Sequence, residues 1–155
     1  MKQKTALYFV FAAVLVVVDQ IVKLLVRINI PLGGAVPFLP GVLQFTYVQN
    51  TGAAFSMLEG HTWVLTLVSA IVSAAIVVLL VKRVFSGRFG MVTLTMVLGG
   101  AVGNLIDRVA FGFVTDMFQT LFMNFAVFNV ADICVVVGGI AFCVYYLFFH
   151  GRRKK

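Results

Sequence analysis

The sequence is poor in charge and especially poor in acid. Only five of its 155 residues are aspartate or glutamate, and charged residues of both signs make up 11% of the chain. Hydrophobic residues make up 62%, and the mean hydropathy is +1.09. This composition excludes an ordinary soluble domain and indicates an integral membrane protein. Because a charge near lipid is costly, each carboxylate beside an apolar run calls for a structural or functional reason.

Cysteine and histidine are also scarce, with two of each. Cys134 and Cys143 lie nine residues apart on one predicted helix, about 13 Å along its axis, so they cannot form a disulfide within that helix. No cluster of cysteine and histidine has the spacing of metal ligands. We therefore expect no metal and no cofactor.

The three prolines all fall within residues 31–40, and they exclude a continuous helix through residues 28–61. Long apolar runs on either side predict a single membrane domain, residues 1–155. Its predicted spans are residues 5–27, 62–82, 89–108 and 132–149, each about long enough to cross a hydrocarbon core of roughly 30 Å. The longer connections are residues 28–61, in which 42–48 has the pattern of a strand, and residues 109–131, interpreted as a second loop with an aromatic patch from Phe118 to Phe128.

Positive charge is concentrated at alternate ends of the predicted spans. The net charge is +7, and the basic tracts lie near residues 2–4, 82–88 and 152–155. This segregation favours the positive-inside rule over nucleic-acid binding. It predicts that both termini are cytoplasmic and that all four aspartates lie at the outer face, with membrane lipids around the spans.

Polar residues from distant parts of the chain should therefore converge at one level of the bilayer. They are Asp19, Lys23, Asn50, Asn104, Asp107, Arg108, Asp116, Asn129 and Asp132. Two carboxylates held close together share a proton, so that one can act as an acid and the other as a base toward water. Such a dyad can hydrolyse a peptide bond without a metal or a nucleophilic side chain.

Two of the four aspartates have a cation nearby in the sequence. Asp19 and Lys23 are four residues apart on one helix face, and Asp107 adjoins Arg108. Asp116 and Asp132 have no such neighbour, so they are the better candidates for the shared proton.

Each feature also has a structural interpretation. Asn129 or Asp132 could simply cap the fourth helix, Asp116 could be a solvated loop acid, and the face formed by Gly99 and Gly103 could serve only packing. A small transporter or proton-coupled channel is the main functional alternative, although the polar residues gather at one face. A structural or assembly subunit is another.

Five motifs, in chain order, resemble those of the bacterial lipoprotein signal peptidases, also called signal peptidase II. They are Asp19-Gln20-x-x-Lys23, Asn50-x-Gly52-Ala53-Ala54-Phe55, Gly99-Gly100-Ala101-x-Gly103-Asn104-x-x-Asp107-Arg108, Val114-x-Asp116, and Phe128-Asn129-x-Ala131-Asp132. A second class of membrane aspartyl protease, the presenilin and prepilin-peptidase type, has a Gly-x-Gly-Asp signature that is absent here.

The resemblance implies an all-α membrane protein of four transmembrane helices, with a small β cradle and a short extramembrane helix on the outer face, within residues 29–60. It implies an aspartyl endopeptidase of the bacterial cytoplasmic membrane that cleaves diacylglyceryl-modified prolipoproteins before the lipidated cysteine and is blocked by globomycin-type peptides. By this resemblance Asp116 and Asp132 are catalytic. The residues that shape the site or bind substrate are Asp19, Lys23, Asn50, Asn104, Arg108 and Asn129, with which we group Gly52 and Asp107. We expect a monomer.

Overall fold

The computed structural model describes residues 2–52, 60–85 and 87–150. Four helices dominate it: α1 (Lys2–Asn29), α2 (Thr62–Lys82), α3 (Arg88–Phe111) and α4 (Val130–Tyr145), the last continued by a π-helical turn, Tyr146–His150. All four are long and apolar enough to cross a membrane, with mean hydropathies from 1.7 to 2.9. The predicted fold class of a four-span helical membrane protein is confirmed.

Helix α3 is the central helix of the bundle. In its most apolar stretch 56% of the residues are buried, whereas the corresponding values for the other three spans lie between 17% and 22%. Those three helices pack around α3 and leave rows of large aliphatic side chains on the outside, where lipid would cover them. The polar residues carried by α3 are therefore surrounded by protein.

Glycines on α3 allow its neighbours to approach closely. A Cβ atom added to Gly99 would lie 2.9 Å from the Leu15 side chain of α1, and one added to Gly103 would lie 2.6 Å from Asp19 Oδ2. Gly100 faces α4, where an added Cβ would collide with the backbone carbonyl of Ala131. The small-residue face thus brings α1 and α4 against α3 at the level of the polar residues.

A three-stranded antiparallel sheet covers one end of the bundle, in the order β1 (Ala35–Leu39), β2 (Leu43–Asn50) and β3 (Val114–Thr120). The strand predicted at 42–48 is confirmed as β2. The interpretation of residues 109–131 as a loop is wrong over Val114–Thr120, where β-branched residues and phenylalanine form a strand. Residues 53–59, where the expected extramembrane helix could lie, fall outside the described residues.

The sheet is joined to the bundle by a small apolar cluster and carries an irregularity beside Asp116. Val26 and Ile30, at the end of α1, pack against Tyr47 of β2 and Met117 of β3. In the β2–β3 pairing, Phe45 lies opposite Phe118 but Val48 lies opposite Asp116, so two residues of β2 face Met117 alone. This is a β-bulge, a feature that re-aims side chains next to functional sites.

Candidate active site

Asp116 lies in the middle of β3, at the junction of the sheet and the helices. It is only 1% exposed. Its Oδ1 accepts a hydrogen bond from the Asn129 side-chain amide at 2.6 Å, and its Oδ2 accepts one from the Asn50 amide at 2.9 Å. Asn50 is itself oriented, because its Oδ1 accepts a hydrogen bond from the backbone N–H of Gly52 at 2.9 Å. Both carboxyl oxygens of Asp116 therefore have fixed partners.

Asp132 lies in the first turn of α4, where it belongs to a capping box. Its backbone N–H donates to Asn129 Oδ1 at 2.9 Å, and its Oδ2 accepts from the backbone N–H of Asn129 at 3.1 Å. The capping interpretation of Asn129 and Asp132 is thus confirmed. Both residues also form hydrogen bonds outside the capping box. Asp132 Oδ1 accepts from the Asn104 amide at 2.8 Å, and the Asn129 amide donates to Asp116.

Asn129 connects the two carboxylate positions. Besides Asp116, its amide donates to Asn104 Oδ1 at 3.2 Å, so a chain of amide hydrogen bonds runs from Asp116 through Asn129 and Asn104 to Asp132. The preceding carbonyl reinforces the connection, because Phe128 O accepts from the backbone N–H groups of both Met117 and Phe118, at 3.0 and 2.8 Å. The start of α4 is thereby attached directly to β3.

Lys23 is fully buried and fixes the orientation of Asn104. Its Nζ lies 2.9 Å from Asp19 Oδ2 and 3.4 Å from Asp107 Oδ2, and it donates to Asn104 Oδ1 at 2.9 Å. A lysine ammonium only donates, so the carbonyl of Asn104 must face Lys23 and its NH₂ must face Asp132. The predicted pairing of Asp19 with Lys23 is confirmed.

Asp19 and Asp107 attach backbone segments to this network. Asp19 Oδ1 accepts from the N–H of Ala131, and Asp107 Oδ2 accepts from the N–H of Thr115, each at 2.9 Å. Asp132 directly follows Ala131 in the sequence, and Asp116 directly follows Thr115. The ion pairs of Asp107 are formed with Lys23 and, at 3.8 Å, with Arg27 of α1, rather than with the neighbouring Arg108 as the sequence suggested.

A cavity of about 370 Å³ opens onto both candidate catalytic carboxyls. Six of the predicted site residues line it: Asn50, Gly52, Asn104, Arg108, Asp116 and Asp132. The other four, Asp19, Lys23, Asp107 and Asn129, lie behind this wall and hold it. The rest of the lining is apolar and comes from Val114, residues 125–128, Ile133 and residues 135–137.

Arg108 is the cation on the cavity wall. Its NH1 donates to Ser69 Oγ of α2 at 3.3 Å, while its buried Nε has no hydrogen-bond partner among the described residues. A buried donor without a partner is rare in native structures.

Burial changes the proton affinity of Asp116, which lies outside the spans. Desolvation and, after it, the negative charge of Asp132 raise the pKa of Asp116 from 3.8 to about 7, against the opposing effect of the hydrogen bonds from Asn50 and Asn129. A carboxyl with such a pKa is still partly protonated at neutral pH.

Several residues that support the site were not predicted from the sequence. Gln20 donates to Gly103 O and to Asp107 Oδ1, each at 3.1 Å. Its place in the motif Asp19-Gln20-x-x-Lys23 could have indicated this role. Arg27, Thr115 and Ser69 carried no motif, and only the folded chain shows their contacts.

Comparison with known proteins gives a consistent result. Residues 11–149 match the family described as signal peptidase (SPase) II. A lipoprotein signal peptidase of Enterococcus faecalis is 46% identical over the whole chain and 96% of its own length, and that of Lactococcus lactis is 42% identical over 87% of this chain and 89% of its own. A solved structure described as a bacterial membrane enzyme at 2.3 Å superposes with a TM-score of 0.86 at 28% identity, covering 92% of this chain and 88% of that one.

Proposed function

Because the chain belongs to the signal peptidase II family, and is thus a membrane aspartic peptidase that removes signal peptides from lipoproteins, we propose that Asp116 and Asp132 are its catalytic dyad. The substrate is a diacylglyceryl-modified prolipoprotein, and the scissile bond is the one immediately before the lipidated cysteine. The nucleophile is a water molecule activated between the two carboxyls.

The observation that carries this proposal is the shared cavity. Asp116 and Asp132 come from a strand and a helix, yet both line the same cavity, and the amides of Asn104 and Asn129 connect them. Asp19 and Asp107, in contrast, bind Lys23 behind the cavity wall. This division into two cation-bound and two cavity-lining carboxylates is what a dyad requires.

The surroundings of the two carboxyls differ in a way that assigns the shared proton. Asp132 accepts a backbone N–H and lies at the N-terminus of α4, where a negative charge is favoured. Asp116 is buried in a strand with neutral amide partners, and its pKa is raised to about 7. We therefore assign the shared proton of the resting dyad to Asp116 and the role of base to Asp132.

The reaction then follows with its protons balanced. The Asp132 carboxylate removes a proton from water as the water oxygen attacks the scissile carbonyl carbon, and Asp116 gives its proton to the carbonyl oxygen. In collapse of the tetrahedral diol, Asp132 passes its proton to the amide nitrogen, the C–N bond breaks, and Asp116 recovers a proton from the diol hydroxyl. Both carboxyls return to their starting states.

The remaining walls of the cavity suit the rest of the substrate. Arg108 lines the cavity, so its guanidinium can donate a hydrogen bond to a backbone carbonyl of the substrate. Ile133, Val136 and Val137 of α4 line the cavity and are also 42–56% exposed on the outside of the bundle. An acyl chain attached to the substrate cysteine can thus remain in the bilayer while the peptide bond reaches the dyad.

The orientation in the membrane follows from the charge distribution. The basic tract around Lys82 lies on the cytoplasmic side, together with both termini, and the sheet and dyad lie at the outer face, where translocated precursors arrive. The enzyme acts as a monomer in the bacterial cytoplasmic membrane, and globomycin-type cyclic peptides inhibit it by occupying the dyad.

The mechanism is tested by replacing each carboxyl with its neutral isostere. Purified Asp116→Asn and Asp132→Asn proteins in detergent are incubated with a lipidated precursor, and the wild type is assayed with and without globomycin. Each variant should lose at least about 10²- to 10⁴-fold of the cleavage rate, the usual contribution of acid–base catalysis, while unfolding as cooperatively as the wild type. Full activity in either folded variant would exclude the dyad.

The orientation is tested by labelling. In a background in which Cys134 and Cys143 are replaced by serine, a single cysteine is introduced by Phe122→Cys, in the exposed turn after β3, or by Lys82→Cys, at the other end of α2. A membrane-impermeant maleimide applied to intact spheroplasts should label the first and not the second. Labelling of Lys82→Cys alone would reverse the assignment.

A further inference from the structure

The residue directly before Asp116 is held from two sides. Thr115 is fully buried. Its backbone N–H donates to Asp107 Oδ2 at 2.9 Å, and its Oγ1 accepts a hydrogen bond from Arg27 NH1 at 3.0 Å. Both holding residues come from helices, α3 and α1, so the start of β3 is fixed to the bundle and not only to the neighbouring strand.

Arg27 is itself anchored by more than this hydrogen bond. Its guanidinium carbon lies 4.6 Å from the centre of the Phe111 ring, at the end of α3, and its NH1 lies 3.8 Å from Asp107 Oδ1. The side chain is only 17% exposed. A planar guanidinium can stack on a ring while donating in its plane, which the ammonium of lysine cannot do. Arg27 thus connects α1, α3 and β3 at one point.

The anchoring of Thr115 matters because the pairing of β3 with β2 is irregular on the other side of Asp116, at Met117. The bulge in β2 places two residues opposite Met117, so the regular ladder is interrupted immediately after Asp116. Successive side chains of a strand point to opposite faces, so a rotation of Thr115 about the strand axis would turn Asp116 away from the cavity. The contacts of Thr115 oppose that rotation.

We infer that Arg27 is a positioning residue for the reaction, acting through the Thr115 hydroxyl to hold the Asp116 carboxyl at the cavity. Arg27 and Thr115 do not line the cavity, so neither is expected to contact substrate. This inference rests on the proposed two-aspartate mechanism.

The test is a double-mutant cycle in the full-length detergent-purified enzyme. The variants are Arg27→Met, Thr115→Val and their combination, with Thr115→Ser as the conservative change that keeps an acceptor oxygen. Thr120→Val is the matched control, since it makes the same change in the same strand at a hydroxyl that donates to Met123 O. Initial rates of cleavage of a lipidated precursor give kcat and KM, and thermal unfolding reports the fold.

Arg27→Met and Thr115→Val should each lower kcat roughly tenfold, because a catalytic group displaced by about an ångström loses up to about a hundredfold. KM should change little. The double variant should be no slower than the slower single variant, because both changes break the same hydrogen bond, from Arg27 to Thr115. Thr115→Ser and Thr120→Val should each retain a near-wild-type kcat.

Several results would overturn the inference. They are an unchanged kcat in both single variants, losses that multiply in the double variant, a rise in KM without a fall in kcat, or an equal loss in Thr120→Val. If Arg27→Met does not fold, the comparison of Thr115→Val with Thr115→Ser decides alone, and equal kcat values reject the role. Failure of the dyad itself would be recognised separately, by activity in Asp116→Asn.

Discussion

Replacement of Asp116 by asparagine should stabilise the fold at alkaline pH while abolishing cleavage. The pKa of Asp116 is raised from 3.8 to about 7, so the folded state binds this proton more tightly than the unfolded state does. The stability that depends on protonated Asp116 is fully present below about pH 4 and is lost as pH rises through 7. Each tenfold change in proton affinity is worth about 1.4 kcal/mol, so ionised Asp116 destabilises the folded state by roughly 4 kcal/mol above pH 7. Asparagine removes this cost.

The substitution also has a cost of its own. Two amides, of Asn50 and Asn129, donate to the two oxygens of Asp116, and an asparagine at this position offers one oxygen and one NH₂ group. One donor therefore loses its acceptor, which costs about 1–3 kcal/mol for a buried group. The relief of charge exceeds this loss, so we expect a net gain of about 1–3 kcal/mol at pH 8 and no gain at pH 4.

Differential scanning calorimetry in detergent between pH 4 and pH 8 measures the effect. A gain of this size raises Tm by several degrees in a protein of this length. Asp116→Ala is the comparison, because it removes the same charge but leaves both amides unpaired and a small void, and its Tm should be lower than that of Asp116→Asn. An asparagine variant less stable than the wild type at pH 8, or a difference that does not depend on pH, would refute the reasoning.

Three further predictions concern rate and packing. The cleavage rate should fall as pH rises through about 7, because Asp116, the proposed acid, then loses its proton; a constant rate to pH 9 would contradict this. Gly100→Ala should lower Tm and activity, because its Cβ meets a backbone carbonyl of α4, whereas Gly139→Ala faces open space and should do neither. Ser69→Ala should raise KM several-fold by releasing Arg108; an unchanged KM would count against it.

The sequence predicts those elements of the fold that depend on a local property, such as apolar length or β propensity. The four spans follow from apolar length, and β2 follows from its β-branched and aromatic residues. Strand β3 was missed because its neighbourhood has the aromatic content of an interfacial loop, and its pairing with β2 depends on contacts between residues about 70 positions apart. Local patterns do not encode such a pairing.

The carboxylates were divided correctly into cation-bound and cation-free pairs, but the cation predicted for Asp107 was wrong, since its ion pairs are with Lys23 and Arg27 and not with Arg108. Sequence spacing reveals a partner four residues away on one helix, as for Asp19 and Lys23. It does not reveal that Lys23 also reaches Asp107 of another helix, or that Arg27 approaches the same carboxylate. These contacts depend on the close approach of α1 to α3, which the glycine face permits.

Charge balance over the whole network gives an independent reason for the shared proton. Four carboxylates, of Asp19, Asp107, Asp116 and Asp132, meet three cations, of Lys23, Arg27 and Arg108. With every group ionised the network carries one excess negative charge, which surroundings of low polarity disfavour. One bound proton makes the network neutral. The proton belongs on the carboxyl with no cation in contact and the least access to water, which is Asp116. The cations that hold Asp19 and Asp107 would thus also keep the proposed dyad singly protonated.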